Sequence, residues 1–409
     1  GGDFGAPANW DLGLPGSNDI ARFDGRVLGG PTTIQVDIAN TTRVQAVEIE
    51  MVELSLVGAG TPLLPFTISS NLQVGGSTGV TITVATNIHI TITNDTSSGT
   101  IRMGTNGDLI VKSGRLTADK ISASNNNTRI WMIDSFFDVF TEVDLAGATN
   151  WIVAGTGAVV HLPGIKLDGP GNRLDVESGW LSVTNTGNSA TVNVVRGEFR
   201  IAGGTAIIDR LVVTGLSATV SFTAGVCRLN SSYVSNSLPF VVGHDNTNGD
   251  PNPPHAVLWI GIGTNVYPLG CTIGITGILR GKGILDLRRQ DMFVFVRGTI
   301  IPGDSPGIIT VLGSLALTNS SLLSIEIGGT NAGTEYDRLV VSGVAYLDGT
   351  LRATLISNYM PAIGHSSATS ADTTFFDRTR ARSRSSVSHQ PRPPGTGLPT
   401  PGTTDGSSP

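Results

Sequence analysis

Between residues 31 and 355 the chain repeats one event: a short run of β-forming residues, then a turn rich in Gly, Asn, Ser or Asp. Residues 33–38, 80–84, 88–93, 109–112, 180–183, 190–194 and 218–222 are such runs. Apolar residues recur at every second position, which buries one face of each run and leaves the other wet. The turns are irregular and lack the consistent two-residue Asn-Gly loops expected of hairpins. A single coil of this kind cannot bury its own apolar face, but stacked coils can, with Gly or Asn supplying unusual backbone angles at the corners. The pattern therefore predicts an all-β chain, a right-handed parallel β-helix (β-solenoid). At roughly 20–25 residues per coil the region holds about 14 coils. At ~4.8 Å per stacked strand, that is a rod on the order of 70 Å long.

Composition supports this and narrows the partners. Charged residues are 14% of the chain, against about 25% in an ordinary soluble domain, too few for long exposed helices. The net charge of −6 argues against nucleic acid, which needs a basic stripe. No apolar run is long enough for a membrane-spanning helix. The chain opens at Gly1 with neither Met nor a charged-then-apolar leader, so it reads as a processed form or a fragment. Cys227 and Cys271 lie in apolar strand-like stretches. Buried free thiols and a pair formed in an oxidising compartment are both open readings.

Residues 1–30 read as an N-terminal cap or first coil, 31–365 as the β-helix, and 366–409 as a disordered Arg/Ser/Pro-rich tail with too little apolar content to order. A reading frame shifted near Ser366 would account for the abrupt change in composition. Residues 129–145 are the most aromatic stretch, and the spacing of Ile133, Phe137 and Phe140 suits a helix face as well as a strand.

Two regions resemble a known family. Asn9 and Trp10, followed by Pro15, Asp19, Ala21 and Phe23, resemble the opening of β-solenoid repeats in bacterial surface proteins of the autotransporter passenger type. Residues 279–284 (LRGKGI) and 298–307 (GTIIPGDSPG) are similar to that family's L-x-G-x-G and P-G-x-S-P-G steps. LSIEIGG at 323–329, YDRLVVSG at 336–343 and LDGTL at 347–351 follow in the family's order. The resemblance marks 279–365 as passenger-like C-terminal coils. It implies a secreted or cell-surface, outer-membrane-associated protein, a stalk or adhesin-like module without catalytic activity. Its implied partners are glycans or matrix components, with self-association as a further expectation. The family's next apolar strand after residues 361–365 (PAIGH) is missing, and so is a membrane barrel, which leaves the export route open.

Candidate chemistry is sparse: no catalytic, cofactor-binding or metal residue is assigned. Gly303, Asp304, Ser305, Pro306 and Gly307 superficially match a serine-protease nucleophile loop. The proline removes an N–H useful to an oxyanion hole, so a turn is expected. His244, Asp245, Asp250 and His255 supply metal-ligand types in a sequence that otherwise reads as an exposed loop. Asp168, Gly169, Pro170, Gly171 and Asn172 read as an isolated turn. Asp134, Asp138, Glu142 and Asp144 are the densest carboxylates, followed by Asp175 and Glu177. They would line a groove in the alternative reading, a polysaccharide lyase or glycoside hydrolase, and otherwise form a solvated face. His89 and His161 read as outward-facing or hydrogen-bonded histidines.

Overall fold

The computed structural model describes residues 88–247, 249–250 and 252–361, and before them 2–3, 8, 11–12, 14–24, 32–36, 43–50, 53–58, 66–75 and 80–84. Of the tail it describes only Ser386–Val387, a short strand parallel to Thr350–Leu355; the rest of 366–409, and with it the expectation of disorder, lies outside the described residues. Asn9, Trp10 and the 30/31 boundary lie outside the described residues.

The architecture is a parallel β-solenoid of about 12 turns, near the number expected from coil length. Each coil contributes strands to three faces. On the first, Gly107–Lys112, Arg129–Ile133 and Trp151–Ala154 stack in parallel. On the second, His89–Ile92, Arg115–Ser122, Phe136–Leu145, Val159–Leu162 and Trp180–Val183 do the same. The third begins where Arg115–Ser122 and Phe136–Leu145 continue past a register shift between Ala118 and Lys120 and stack on Thr100–Met103. Residues 129–145 are thus strand, not helix. Inside a solenoid every other residue must point inward, and a helical period would break that stack.

Alternation fixes the core. Ile82, Leu109, Ile130, Ile152 and Leu174 stand in one inward column. Ile90, Leu116, Phe137, Val160 and Leu181 form a second. All ten are at most 1% exposed, and burying each contributes roughly 1.5–3 kcal/mol relative to exposure. From Thr191 to Val234 the chain is extended through successive corners. Beyond it Phe240–Val242, Cys271–Ile273, Phe293–Val296, Ser314–Leu317 and Ala345–Tyr346 form a separate five-stranded sheet.

Corners are held by buried polar side chains. Asn150 is fully buried: its Oδ1 accepts from Thr128 N (3.1 Å) and Oγ1 (2.9 Å), and its Nδ2 donates to the carbonyls of Ala123 (3.0 Å) and Asn125 (2.9 Å). One coil on, Asn172 accepts from Asn150 N (2.9 Å) and donates to Leu145 O (2.6 Å). This amide ladder overturns the isolated-turn reading of 168–172. The segment lies inside the extended run Ile165–Val176, with a register irregularity between Asp168 and Arg173. Asn172 belongs to the ladder, and a Cβ on Gly169 would collide with the carbonyl of Gly147.

A second device recurs between the second and third faces. Asn94 Oδ1 accepts from Thr96 N and Ser98 N, and Asn185 Oδ1 accepts from Gly187 N and Ser189 N. Each loop is clamped by a buried aspartate of the next coil. Asp119 accepts from Asn94 N and Gly99 N; Asp209 accepts from Asn185 N and Ala190 N.

Candidate functional site

The outer surface of the second face carries the densest mix of free aromatic and polar groups. Its outward positions form two columns. His89, Arg115, Phe136, Val159 and Trp180 stand in one; Thr91, Thr117, Asp138, His161 and Ser182 in the other. Phe136 is 52% and Trp180 42% exposed, each at the first residue of its strand. Beside them, on three successive coils from Arg115 to His161, lies an ion-paired cluster. Asp138 Oδ2 accepts from an Arg115 Nη (2.8 Å), and Oδ1 pairs with His161 Nδ1 (2.7 Å). The Asp138 side chain is 11% exposed, while those of Arg115 and His161 are half exposed. His89 Nε2 shares a hydrogen with Thr117 Oγ1 (3.1 Å). Burial, and then the charge of Arg115, hold the His89 pKa below its ordinary value against the opposing pull of Asp138. These partners come from successive coils and share one face only because the coils stack in this register.

Ser182 follows Asp138 and His161 in register, an order suggestive of a nucleophilic triad. Its hydroxyl is instead bonded to Thr184 Oγ1 (3.0 Å), and Arg115 occupies the second oxygen of Asp138. No other carboxylate stands among these outward positions, whereas hydrolysis of a glycosidic bond needs a pair.

The third face carries a polar groove of about 480 Å³, lined by Arg102, Lys120, Ser122, Glu142 and Asp144 among others. Lys120 reaches Glu142 at 3.2 Å across adjacent coils. The carboxylate group expected from the sequence is thus split. Glu142 and Asp144 line this groove, Asp138 lies on the second face, and Asp134 occupies the corner between the first and second with φ 45°. The first face bears a ladder of its own. Arg129 pairs with Asp108 (2.9 Å) and stacks over Trp131; Arg173 stacks over Trp151 and pairs with Asp175 (2.6 Å), which Arg200 also reaches (2.8 Å). Glu177 lies 3.9 Å from Arg200. Each of those indoles has a guanidinium group over one face, and Trp151 remains 38% exposed.

The other candidate residues serve local structure. Gly303–Gly307 joins Thr299–Pro302 to Ile308–Leu312, with Ser305 at φ 115°. The buried Asp337 accepts from Gly307 N and Glu326 N (both 2.8 Å), tying that turn to the following strand. In the 244–255 loop, Asp245 pairs with Arg297 and accepts from Ile275 N, Asp250 accepts from Asn252 N, and His255 Nδ1 meets Thr276 O. Among the described residues no group of three or more His, Cys, Asp or Glu could hold a metal ion. Asp168 is bonded by Lys166 and Arg196. Cys227 and Cys271 are buried free thiols. No helix among the described residues is long and apolar enough to cross a membrane.

Sequence reading missed Arg115, Phe136 and Trp180 as site residues. The available signal was spacing: Arg115 to Asp138 and Asp138 to His161 are each separated by 23 residues, one coil. No family model and no curated protein matches the chain.

Proposed function

We propose that this chain is the β-helical body of an exported bacterial surface protein, an adhesin-like stalk without catalytic activity, that binds glycans through its second face. The observation that carries the binding role is the pairing of the exposed Phe136 and Trp180 rings with the Arg115, Asp138 and His161 cluster beside them on the same face. A sugar ring presents an apolar C–H face to an aromatic ring and hydroxyls at its edge, and this surface offers partners for both. The free polar groups are the remaining Arg115 N–H donors and His161 Nε2, which accepts when Nδ1–H is given to Asp138. Export rests on the resemblance of residues 279–351 to passenger-type coils and on the low charge content. A glycan array with the whole chain and with Phe136→Ala/Trp180→Ala tests the binding role. Loss of array signal in the double variant is expected; absence of any glycan signal in the parent refutes it. Fractionation of cells expressing the complete gene tests export, and a purely cytoplasmic product would refute that part.

One observation favours a second reading, a polysaccharide-degrading enzyme: Lys120 and Arg102 line the same groove as Glu142 and Asp144. A lysine or arginine beside carboxylates is the equipment of proton abstraction from an acidic sugar. Release of reducing or unsaturated sugars from pectin-like polymers, abolished by Lys120→Ala or Glu142→Gln, would replace the binding role with this one.

A further inference from the structure

The two free rings stand in a geometry that selects among glycans. Phe136 and Trp180 occupy the same outward column, separated only by Val159. Two stacking steps of ~4.8 Å place them about 10 Å apart along the solenoid axis, about the length of two pyranose rings in an extended chain. A chain crossing the face at right angles meets one ring; a chain running along the axis meets both. The neighbouring column presents Thr117, Asp138, His161 and Ser182 at successive coils beside those rings. Polar groups therefore repeat at the same step as the sugars of such a chain.

Charge narrows the class further. The Asp138 carboxylate is matched by Arg115, and burial together with Arg115 favours neutral His89. The platform therefore has no surplus of positive charge with which to concentrate a polyanion, and the whole chain carries −6. Resting on the glycan-binding reading above, we propose that the second face takes a linear, uncharged polysaccharide laid along the solenoid axis, with every second pyranose on Phe136 or Trp180.

Calorimetric titration with β-1,4-linked gluco-, manno- and N-acetylglucosamine oligomers from disaccharide to octasaccharide tests this. Polygalacturonate and its carboxyl-reduced counterpart complete the set. In at least one neutral series, affinity is expected to rise with length up to about three rings, where both aromatic residues are spanned, and then to level off. Phe136→Ala and Trp180→Ala are each expected to weaken hexasaccharide binding about 2- to 10-fold and to abolish the gain over the disaccharide. Unchanged unfolding midpoints of both variants would show that the loss lies in binding. A bound glycan whose affinity ignores chain length overturns the axial placement and leaves the glycan reading standing. Tighter, salt-sensitive binding of polygalacturonate than of its reduced form overturns the uncharged class alone. Absence of binding to every polymer overturns both.

Discussion

Replacing Asn150 by Ala removes the best-connected link of the amide ladder. Asn150 is 0% and Thr128 3% exposed, so water cannot reach Thr128 N–H without a shift of the corner, whereas Asn125 is an exposed residue whose carbonyl is only partly buried. Four hydrogen bonds disappear, but their consequences differ. Ala123 O keeps the amide of Gly147 (3.1 Å), and the Thr128 hydroxyl can rotate toward another acceptor. Thr128 N–H and Asn125 C=O lose the partner that Asn150 supplies. At roughly 1–3 kcal/mol for a buried group left unsatisfied, with Thr128 N–H the buried orphan and water able to reach Asn125 C=O, the expected loss is about 1–3 kcal/mol. Urea unfolding followed by tryptophan fluorescence measures it, since Trp151 is the next residue. A solenoid can unfold in segments, so amide exchange across residues 123–152 should localise the loss. Thr156→Ala, whose exposed hydroxyl only meets Ser178, is the control, expected to stay within about 0.5 kcal/mol. Asn150→Asp should be worse than Ala at neutral pH, because a carboxylate would face two carbonyl oxygens, and should recover toward acid as it protonates. A shift for Asn150→Ala no larger than that of Thr156→Ala would refute the reasoning and reduce the ladder to a bystander.

Further outcomes follow from the same structure. Asp119→Ala and Asp209→Ala each release two loop amides and should each lower stability by about 1–3 kcal/mol, with faster amide exchange in 94–99 or 185–190 respectively; equal exchange in parent and variant would contradict the clamp. Asp337→Ala should loosen the 303–307 turn at a similar cost, read as protease sensitivity near Ser305. Burial and the neighbouring Arg115 hold the folded pKa of His89 below that of a free histidine. Its neutral form is therefore favoured by folding: its contribution is complete above about pH 6.5 and is lost as pH falls through the lowered folded value. His89→Gln should flatten the acid-side decline of stability, and an unchanged pH profile would refute the assignment. Burial pushes the Cys271 thiol up to about 12 and that of Cys227 further, so both should resist thiol reagents in the native state and react fully in denaturant; rapid native labelling of either would count against the burial.

The sequence alone determined the class of fold, because alternation with period two is a local property that survives any register. It also carried the C-terminal order of motifs, and the structure supplies a reason for two of them to recur together: Asp337 of the YDRLVV step reaches back to Gly307 of the PGDSPG turn. Buried thiols and partnered outward histidines were within reach for the same local reason. What stood beside what was not. The Asn94 and Asn185 loops share TN at their start and a Ser before their final small residue, a repeat visible only once both are seen clamped by an aspartate one coil later. Corners absorb variable lengths, so partners one coil apart differ by 22 residues at Asn150 and Asn172 but by 33 at Ser232 and Asn265. With no fixed repeat, the sequence cannot align one coil on the next. Side-chain columns therefore exist only in the tertiary structure. Stacking register set Arg115, Asp138 and His161 in contact, put Phe136 and Trp180 in one outward column, laid guanidinium groups against Trp131 and Trp151, and divided Asp134, Asp138, Glu142 and Asp144 among a corner and two faces.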